Sequence, residues 1–132
     1  MNKEIKIKRS DIYPDIILDK ENGIFEIKGI SLPENGKEFY QPVLDFLSEY
    51  IQAPNEITHF VFNLRFFNIS SSKMLLFILY RLKELHNSGQ RVLVTWCYDD
   101  EDILEAGKDF EHMVHIPFQF KEVYPEKILE KS

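Results

Sequence analysis

The segment ITHFVFNLRFFNISSSKMLLFILYRLKELHNSGQRVLVTWCY, residues 57–98, decides the fold. Residues 57–65 are rich in β-branched and aromatic residues, which is typical of a buried strand. Residues 71–87 are mostly helix formers and end at an Asn-Ser-Gly stop, and residues 91–98 are strand-like again. A strand, a helix and a strand in this order predict two parallel strands joined by a right-handed crossover. The carboxyl ends of both strands should therefore lie at one edge of the sheet, where function usually lies in open α/β sheets.

The flanking sequence extends this unit in both directions. Asn22-Gly23 is a strong signal for a tight hairpin, and Gly107 predicts a close approach of a helix to the sheet. The patterns place strands at 4–8, 15–20, 24–30 and 117–123, the last at the sheet edge, and helices at 37–52 and within DDEDILEAGKDFEHMV, residues 99–114. We predict an α/β fold with a mixed sheet and about three helices, in one domain of residues 1–124 followed by a tail of residues 125–132.

Length and composition restrict the class of protein. With 132 residues, 44% of them hydrophobic, the chain can form one packed core and is not a disordered chain. The formal net charge of −6, without a concentrated basic face, argues against nucleic acid as a partner. The single Cys97 excludes an internal disulfide. The longest apolar run, residues 74–80, is too short to span a bilayer. We therefore expect a cytoplasmic protein without membrane insertion.

Three consecutive serines, Ser70, Ser71 and Ser72, stand between the central strand and the central helix. The simplest interpretation is a helix cap, in which the hydroxyl of Ser70 or Ser71 accepts a hydrogen bond from a backbone N–H of the first turn. The alternative is a phosphoacceptor, because a phosphate at a helix start meets free N–H groups and the positive end of the helix dipole. The two interpretations are compatible with each other.

Four acidic residues, Asp99, Asp100, Glu101 and Asp102, follow the next strand and should share the sheet edge with the serines. Clustered carboxylates suit Mg²⁺ or Ca²⁺, which would make a small metal-dependent enzyme using Asp99, Asp100 and Asn68 one alternative. Acids at a helix start also complement the dipole and are commonly solvated, so a metal is not required. A third interpretation is a partner-binding edge, whose charge would repel a phosphate placed nearby.

The other reactive residues indicate no catalytic or cofactor site. His112 and His115 lack the further ligands of a zinc site, and Cys97 lies in an apolar strand as a small core residue. Residues 74–80 are apolar on every side of their helix, which predicts burial on more than one side. Alternatively, Leu76, Phe77 and Tyr80 form an exposed patch for a partner.

Three motifs then identify a resemblance. SLPEN (31–35), FNLRFFNISSSK (62–73) and WCYDDEDILEAGKDFEHMVHIPF (96–118) occur with the order and spacing of the SiaC family of small bacterial regulatory phosphoproteins. The chain resembles this family from Gly29 to about Phe120. The resemblance implies a STAS-like α/β domain that is not an enzyme and needs no cofactor. It also implies signalling by partner switching, in which a Ser/Thr kinase and a PP2C-type phosphatase modify the protein and the unmodified form activates a diguanylate cyclase, which promotes cyclic-di-GMP synthesis and biofilm growth.

One position departs from the family pattern. The family reads Asn-Thr-Ser-Ser and is phosphorylated on the threonine, whereas this chain has Ile69 there, with Asn68, Ser70 and Ser71 matching and Ser72-Lys73 continuing the run. Isoleucine has no hydroxyl. We expect either that the phosphate moves to Ser70 or Ser71, with Ser70 favoured, or that the protein is a constitutive binding module without the switch.

Overall fold

The computed structural model describes residues 4–124 and arranges them as alternating strands and helices. The elements are β1 (Glu4–Ile7), β2 (Asp15–Asp19), β3 (Ile24–Ser31), α1 (Gly36–Tyr50), β4 (Ile57–Phe67), α2 (Ile69–Asn87), β5 (Arg91–Tyr98), α3 (Glu101–Val114) and β6 (Phe118–Glu122). This mixed α/β arrangement with six strands and three helices confirms the predicted fold class. The predicted tail, residues 125–132, lies outside the described residues.

The six strands form one sheet in the order in which they occur along the chain. β1, β2 and β3 pair antiparallel, and β3, β4, β5 and β6 pair parallel. The parallel pairing of β4 with β5 confirms the predicted crossover unit, and β6 lies at the edge as predicted. Because successive right-handed crossovers advance in one direction across the sheet, the three helices cover the same face. Within residues 4–124 no helix covers the other face of the sheet, which we call the open face.

The core lies between the helices and the covered face of the sheet. In β4 the side chains alternate, so that Phe60, Phe62 and Leu64 are buried under the helices while Arg65 is exposed on the open face. Gly107 of α3 confirms the predicted close approach, because a Cβ on this residue would overlap the indole ring of Trp96 in β5. The indole N–H in turn donates to the Ile103 carbonyl over 2.8 Å, which fixes α3 on the sheet.

Element boundaries differ from the sequence-based prediction mainly at the serines. β4 runs to Phe67 and α2 begins at Ile69, so that only Asn68 separates them. The hairpin between β2 and β3 is a four-residue loop, Lys20–Gly23, in which the Asp19 carboxylate accepts from the backbone N–H and the side-chain amide of Asn22. The predicted stop of α2 after Asn87 is confirmed.

The apolar run of α2 divides between core and surface. Met74, Leu75, Ile78 and Leu79 are buried, as the helix-packing interpretation predicts, whereas Phe77 and Tyr80 keep more than a third of their surface exposed. Within residues 4–124, each helix is too short or too polar to cross a membrane.

Candidate functional site

The start of α2 is capped by Asn68. Its side-chain oxygen accepts from the Ser71 backbone N–H over 2.9 Å, its amide nitrogen donates to the Pro33 carbonyl over 3.0 Å, and its backbone N–H donates to the Ser31 carbonyl over 3.0 Å. The prediction that Ser70 or Ser71 caps the helix is therefore wrong. Asparagine is as good a cap as serine, and the contacts with the loop between β3 and α1 settle which residue takes the role.

Ser70 joins the start of α2 to the start of α1. Its hydroxyl oxygen accepts from the Gly36 backbone N–H over 3.1 Å and its hydroxyl donates to the Pro33 carbonyl over 3.2 Å. Gly36 is the first residue of α1, and a Cβ there would lie 2.5 Å from the Ser70 carbonyl oxygen. Only glycine permits this approach without a shift of the backbone. The two helices thus begin in contact, with the half-buried Ser70 between them.

Ser71 is fully buried in a chain of hydroxyl groups. Its oxygen lies 2.7 Å from the Ser31 hydroxyl oxygen, which lies 2.6 Å from the Tyr40 hydroxyl oxygen, and Ser71 also donates to the Ser31 carbonyl. Burial raises the pKa of Tyr40 to about 12, so that the phenol stays protonated over the ordinary pH range. In the folded protein the Ser71 hydroxyl faces this network and not solvent. A kinase could reach it only after the start of α2 opens.

The remaining residues of this corner differ strongly in exposure. Ile69, the residue in place of the family's threonine, is 90% exposed at the first position of α2. Phe66, at the end of β4, is also exposed, and Ser72 is half-buried. The corner therefore presents an apolar side chain where the family pattern has a hydroxyl.

A groove lies beside Ser70, between the starts of α1 and α2, and we name it the serine groove. It has a volume of about 450 Å³, and its walls include Gly36, Lys37, Ser70, Lys73 and Phe77. Both lysines are exposed. The charged residues on the walls of this groove are these two lysines and Glu34, while the expectation that Asp99 and Asp100 repel a phosphate at this corner stays a prediction.

The acidic residues do share the sheet edge with the serines, since β4 and β5 are parallel. Their side chains nevertheless have separate roles. Asp99 forms an ion pair with Arg65 over 3.4 Å on the open face of the sheet, and Asp100 caps α3 by accepting from the Ile103 backbone N–H over 2.9 Å. Glu101 and Asp102 are exposed in the first turn of α3.

These partners occupy both carboxylates, Asp99 and Asp100, that the sequence offers for a metal site. Between residues 4 and 124 no three side chains of His, Cys, Asp or Glu are grouped so as to hold a metal ion. His112 lies in the last turn of α3 and His115 follows it as the C-cap. Cys97 is buried, as predicted for a small core residue, and burial raises the pKa of its thiol.

Sequence reasoning missed the contribution of the loop between β3 and α1. Ser31, Pro33 and Gly36 hold the start of α2, whereas from the sequence the stretch SLPEN serves only as a motif of the family resemblance, without any predicted contact between these residues and α2. Two signals were available: Ser31 falls on the alternate positions of β3 that Phe25 and Ile27 mark as inward-facing, and a glycine stands at the first position of a helix.

Comparison with known proteins identifies one family. Residues 7–123 match the model of a family described as SiaC family regulatory phosphoprotein. An uncharacterized protein of Pseudomonas aeruginosa is 28% identical over 117 residues, which cover 87% of this chain and 93% of that protein.

Two solved structures of Pseudomonas aeruginosa have the same fold. Apo-SiaC superposes with a TM-score of 0.83 at 27% identity, covering 89% of this chain and 98% of the SiaC chain. SiaC in the crystal structure of the diguanylate cyclase SiaD with its activator SiaC superposes with a TM-score of 0.84 at 27% identity, covering 90% and 99%. The similarity therefore extends over about nine-tenths of this chain.

Proposed function

The chain belongs to the SiaC family of regulatory phosphoproteins, and on that basis we propose that it binds a diguanylate cyclase and controls the activity of that enzyme. The observation that carries the proposal is the match, over 90% of this chain, to a SiaC that is crystallised with a cyclase as its activator. Cyclic-di-GMP production by the partner, and the biofilm growth that follows from it, would be the output.

We also propose that the protein contributes no catalytic chemistry of its own. The two carboxylates best placed for a metal site, Asp99 and Asp100, are used by an ion pair and a helix cap. The thiol of Cys97 is buried and held in its protonated form. The functional surface is then a surface that other proteins bind and modify.

Ser70 is our proposed phosphoacceptor, modified by a Ser/Thr kinase and restored by a PP2C-type phosphatase. In the forward step the Ser70 hydroxyl oxygen bonds to the γ-phosphorus of ATP, the bond to ADP breaks and a base of the kinase takes the hydroxyl proton. In the reverse step water hydrolyses the phosphoester. Three contrasts support the choice: Ile69 has no hydroxyl, Ser71 is fully buried, and Ser70 is half-buried on the wall of an open groove.

Phosphorylation would change both the charge and the hydrogen bonds of the corner. Phosphate brings about −1.5 to −2 charges, and the Ser70 oxygen loses the proton that it donates to the Pro33 carbonyl. A partner that docks on the unmodified corner, beside the exposed Ile69, would meet a different surface. A change in affinity of roughly tenfold to a hundredfold corresponds to about 1.4–2.8 kcal/mol, within the range of one charged contact.

The test uses the purified chain with the diguanylate cyclases of its own organism. We expect the unmodified chain to bind one of them in isothermal titration calorimetry and to change its rate of cyclic-di-GMP synthesis, measured by chromatography. Phosphoserine inserted genetically at position 70 should weaken that complex, and phosphoserine at position 72 serves as the matched control. If the unmodified chain neither binds a cyclase nor alters its rate, the proposed function is wrong.

A second candidate, a constitutive binding module, is favoured by one observation, the exposed Ile69 at the position of the family's threonine. In that case the cyclase would bind the unmodified and the position-70 phosphoserine proteins equally. Phosphopeptide mapping of the protein from its native cells, grown with and without surface attachment, would then find no modified serine between residues 70 and 72.

A further inference from the structure

The serine groove brings two lysines from different helices to the side of Ser70. Lys37 is the second residue of α1, and Lys73 lies three residues after Ser70 and hence on the same side of α2. Among residues 4–124 neither lysine forms an ion pair. We infer that this groove is a built-in receptor for the Ser70 phosphate, in which Lys37 and Lys73 bind it together. The inference rests on the proposed phosphorylation of Ser70.

Hydrogen bonding at Ser70 directs the phosphate into the groove. As an ester oxygen, the Ser70 oxygen can keep accepting from the Gly36 N–H, which lies 3.1 Å away. It can no longer donate to the Pro33 carbonyl, now 3.2 Å away, and that carbonyl oxygen would repel the phosphate oxygens. The phosphoryl group is thus turned away from Pro33. The volume of about 450 Å³ beside Ser70 is ample for one phosphoryl group.

The charges on the groove walls favour a dianion. Lys37 and Lys73 are opposed there by one acidic residue, Glu34, so the wall is positive in an otherwise acidic protein. Both ammonium groups are on flexible stems, one from α1 and one from α2, so that both can turn towards the phosphate oxygens. Charge-assisted hydrogen bonds of this kind are about twice as strong as neutral ones.

A phosphate held in this way would tie α1 to α2. Lys37 belongs to the start of α1 and Lys73 to the first turns of α2, so the phosphate would bridge the two helices at the point where Gly36 already contacts Ser70. The switch would then act on the loop between β3 and α1. Repulsion by the acidic residues at the start of α3 is not needed in this mechanism.

The experiment measures the second pKa of the phosphate by ³¹P NMR in the full-length chain carrying genetically inserted phosphoserine. An unperturbed phosphoserine has a second pKa of about 6. We expect the value at position 70 to lie at least about 0.5 unit lower than at position 72, because nearby cations favour the dianion. Lys37→Gln combined with Lys73→Gln should remove most of that difference. Lys108→Gln, an exposed lysine of α3, should leave it unchanged.

Two results would overturn the inference. One is the same second pKa at positions 70 and 72, which would place the phosphate in solvent. The other is a circular dichroism spectrum which shows that the position-70 phosphoserine protein is unfolded, since a receptor would hold the phosphate in the native fold. The measurement needs neither kinase nor cyclase. A lowered pKa in a chain whose unmodified form neither binds a cyclase nor alters its rate would therefore contradict the proposed function and support the receptor.

Discussion

Alanine substitution of the three adjacent serines should separate their roles in stability. Ser71 is fully buried and its hydroxyl has two partners on Ser31, whereas Ser70 is half-buried and accepts from the Gly36 N–H. Ser72 is half-buried, and no side-chain hydrogen bond of Ser72 is found within residues 4–124. The substitution is the same at each position and each lies in the first turn of α2, so differences in helix propensity largely cancel.

The expected free energies of unfolding follow from what each substitution leaves unpaired. Ser71→Ala removes a partner of a buried hydroxyl and opens a small void, which should cost about 1–3 kcal/mol. Ser70→Ala leaves the Gly36 N–H without its acceptor in a partly buried place, which should cost about 0.5–1.5 kcal/mol. Ser72→Ala should be within about 0.5 kcal/mol of the unsubstituted protein.

Urea unfolding followed by far-UV circular dichroism measures these differences, provided that the m-value stays constant along the series. A double-mutant cycle of Ser71→Ala with Ser31→Ala should show a coupling of at least about 0.5 kcal/mol, because the two hydroxyls are direct partners. Equal losses for the three single variants would refute the reasoning, since they would mean that position in the helix, and not the buried network, sets the cost.

Three further predictions concern the same corner. Gly36→Ala should destabilise the protein by about 1–3 kcal/mol in the same urea assay, because the new methyl group would lie 2.5 Å from the Ser70 carbonyl oxygen and would force the two helix starts apart. An unchanged urea midpoint would contradict that contact. Asn68→Ala should cost about 0.5–2 kcal/mol through loss of the cap. Asn68→Asp keeps an acceptor for the Ser71 N–H but sets a carboxylate oxygen against the Pro33 carbonyl, so it should also destabilise the protein in the urea assay, and an Asp variant as stable as the unsubstituted protein would contradict the contact with Pro33. The folded-state pKa of Tyr40, about 12, exceeds the ordinary value of 10.0. The contribution of Tyr40 to the free energy of unfolding should therefore be full below pH 10 and fall by roughly 1.4 kcal/mol per pH unit as the pH rises from 10 towards 12. Tyr40→Phe should abolish this decline, and a decline that persists in Tyr40→Phe would assign it to other groups.

The amino-acid sequence alone determined the architecture of this protein. The order of strand, helix and strand over residues 57–98 predicted the parallel pairing of β4 with β5, because the apolar pattern is local and the handedness of the crossover is general. Gly107 predicted the contact of α3 with the sheet, because a glycine in a helix interior costs stability and is usually found where another element packs closely against the helix. Family membership also followed from motifs that are contiguous in the chain.

The detail of the candidate site was decided by tertiary structure. Asn68, Ser70 and Ser71 are all good capping residues, and intrinsic preference does not choose between them. The choice depends on hydrogen bonds to Ser31 and Pro33, which lie 35 or more residues earlier in the chain.

The serine groove has the same origin. Its lysines come from α1 and α2, and the pattern of residues around Ser70 carries no sign of Lys37. The neighbours of a side chain on a helix start depend on how far each strand extends and on where the next helix packs. The extent of each strand and the packing position of each helix are set when the whole core becomes buried, so no short stretch of sequence predicts them.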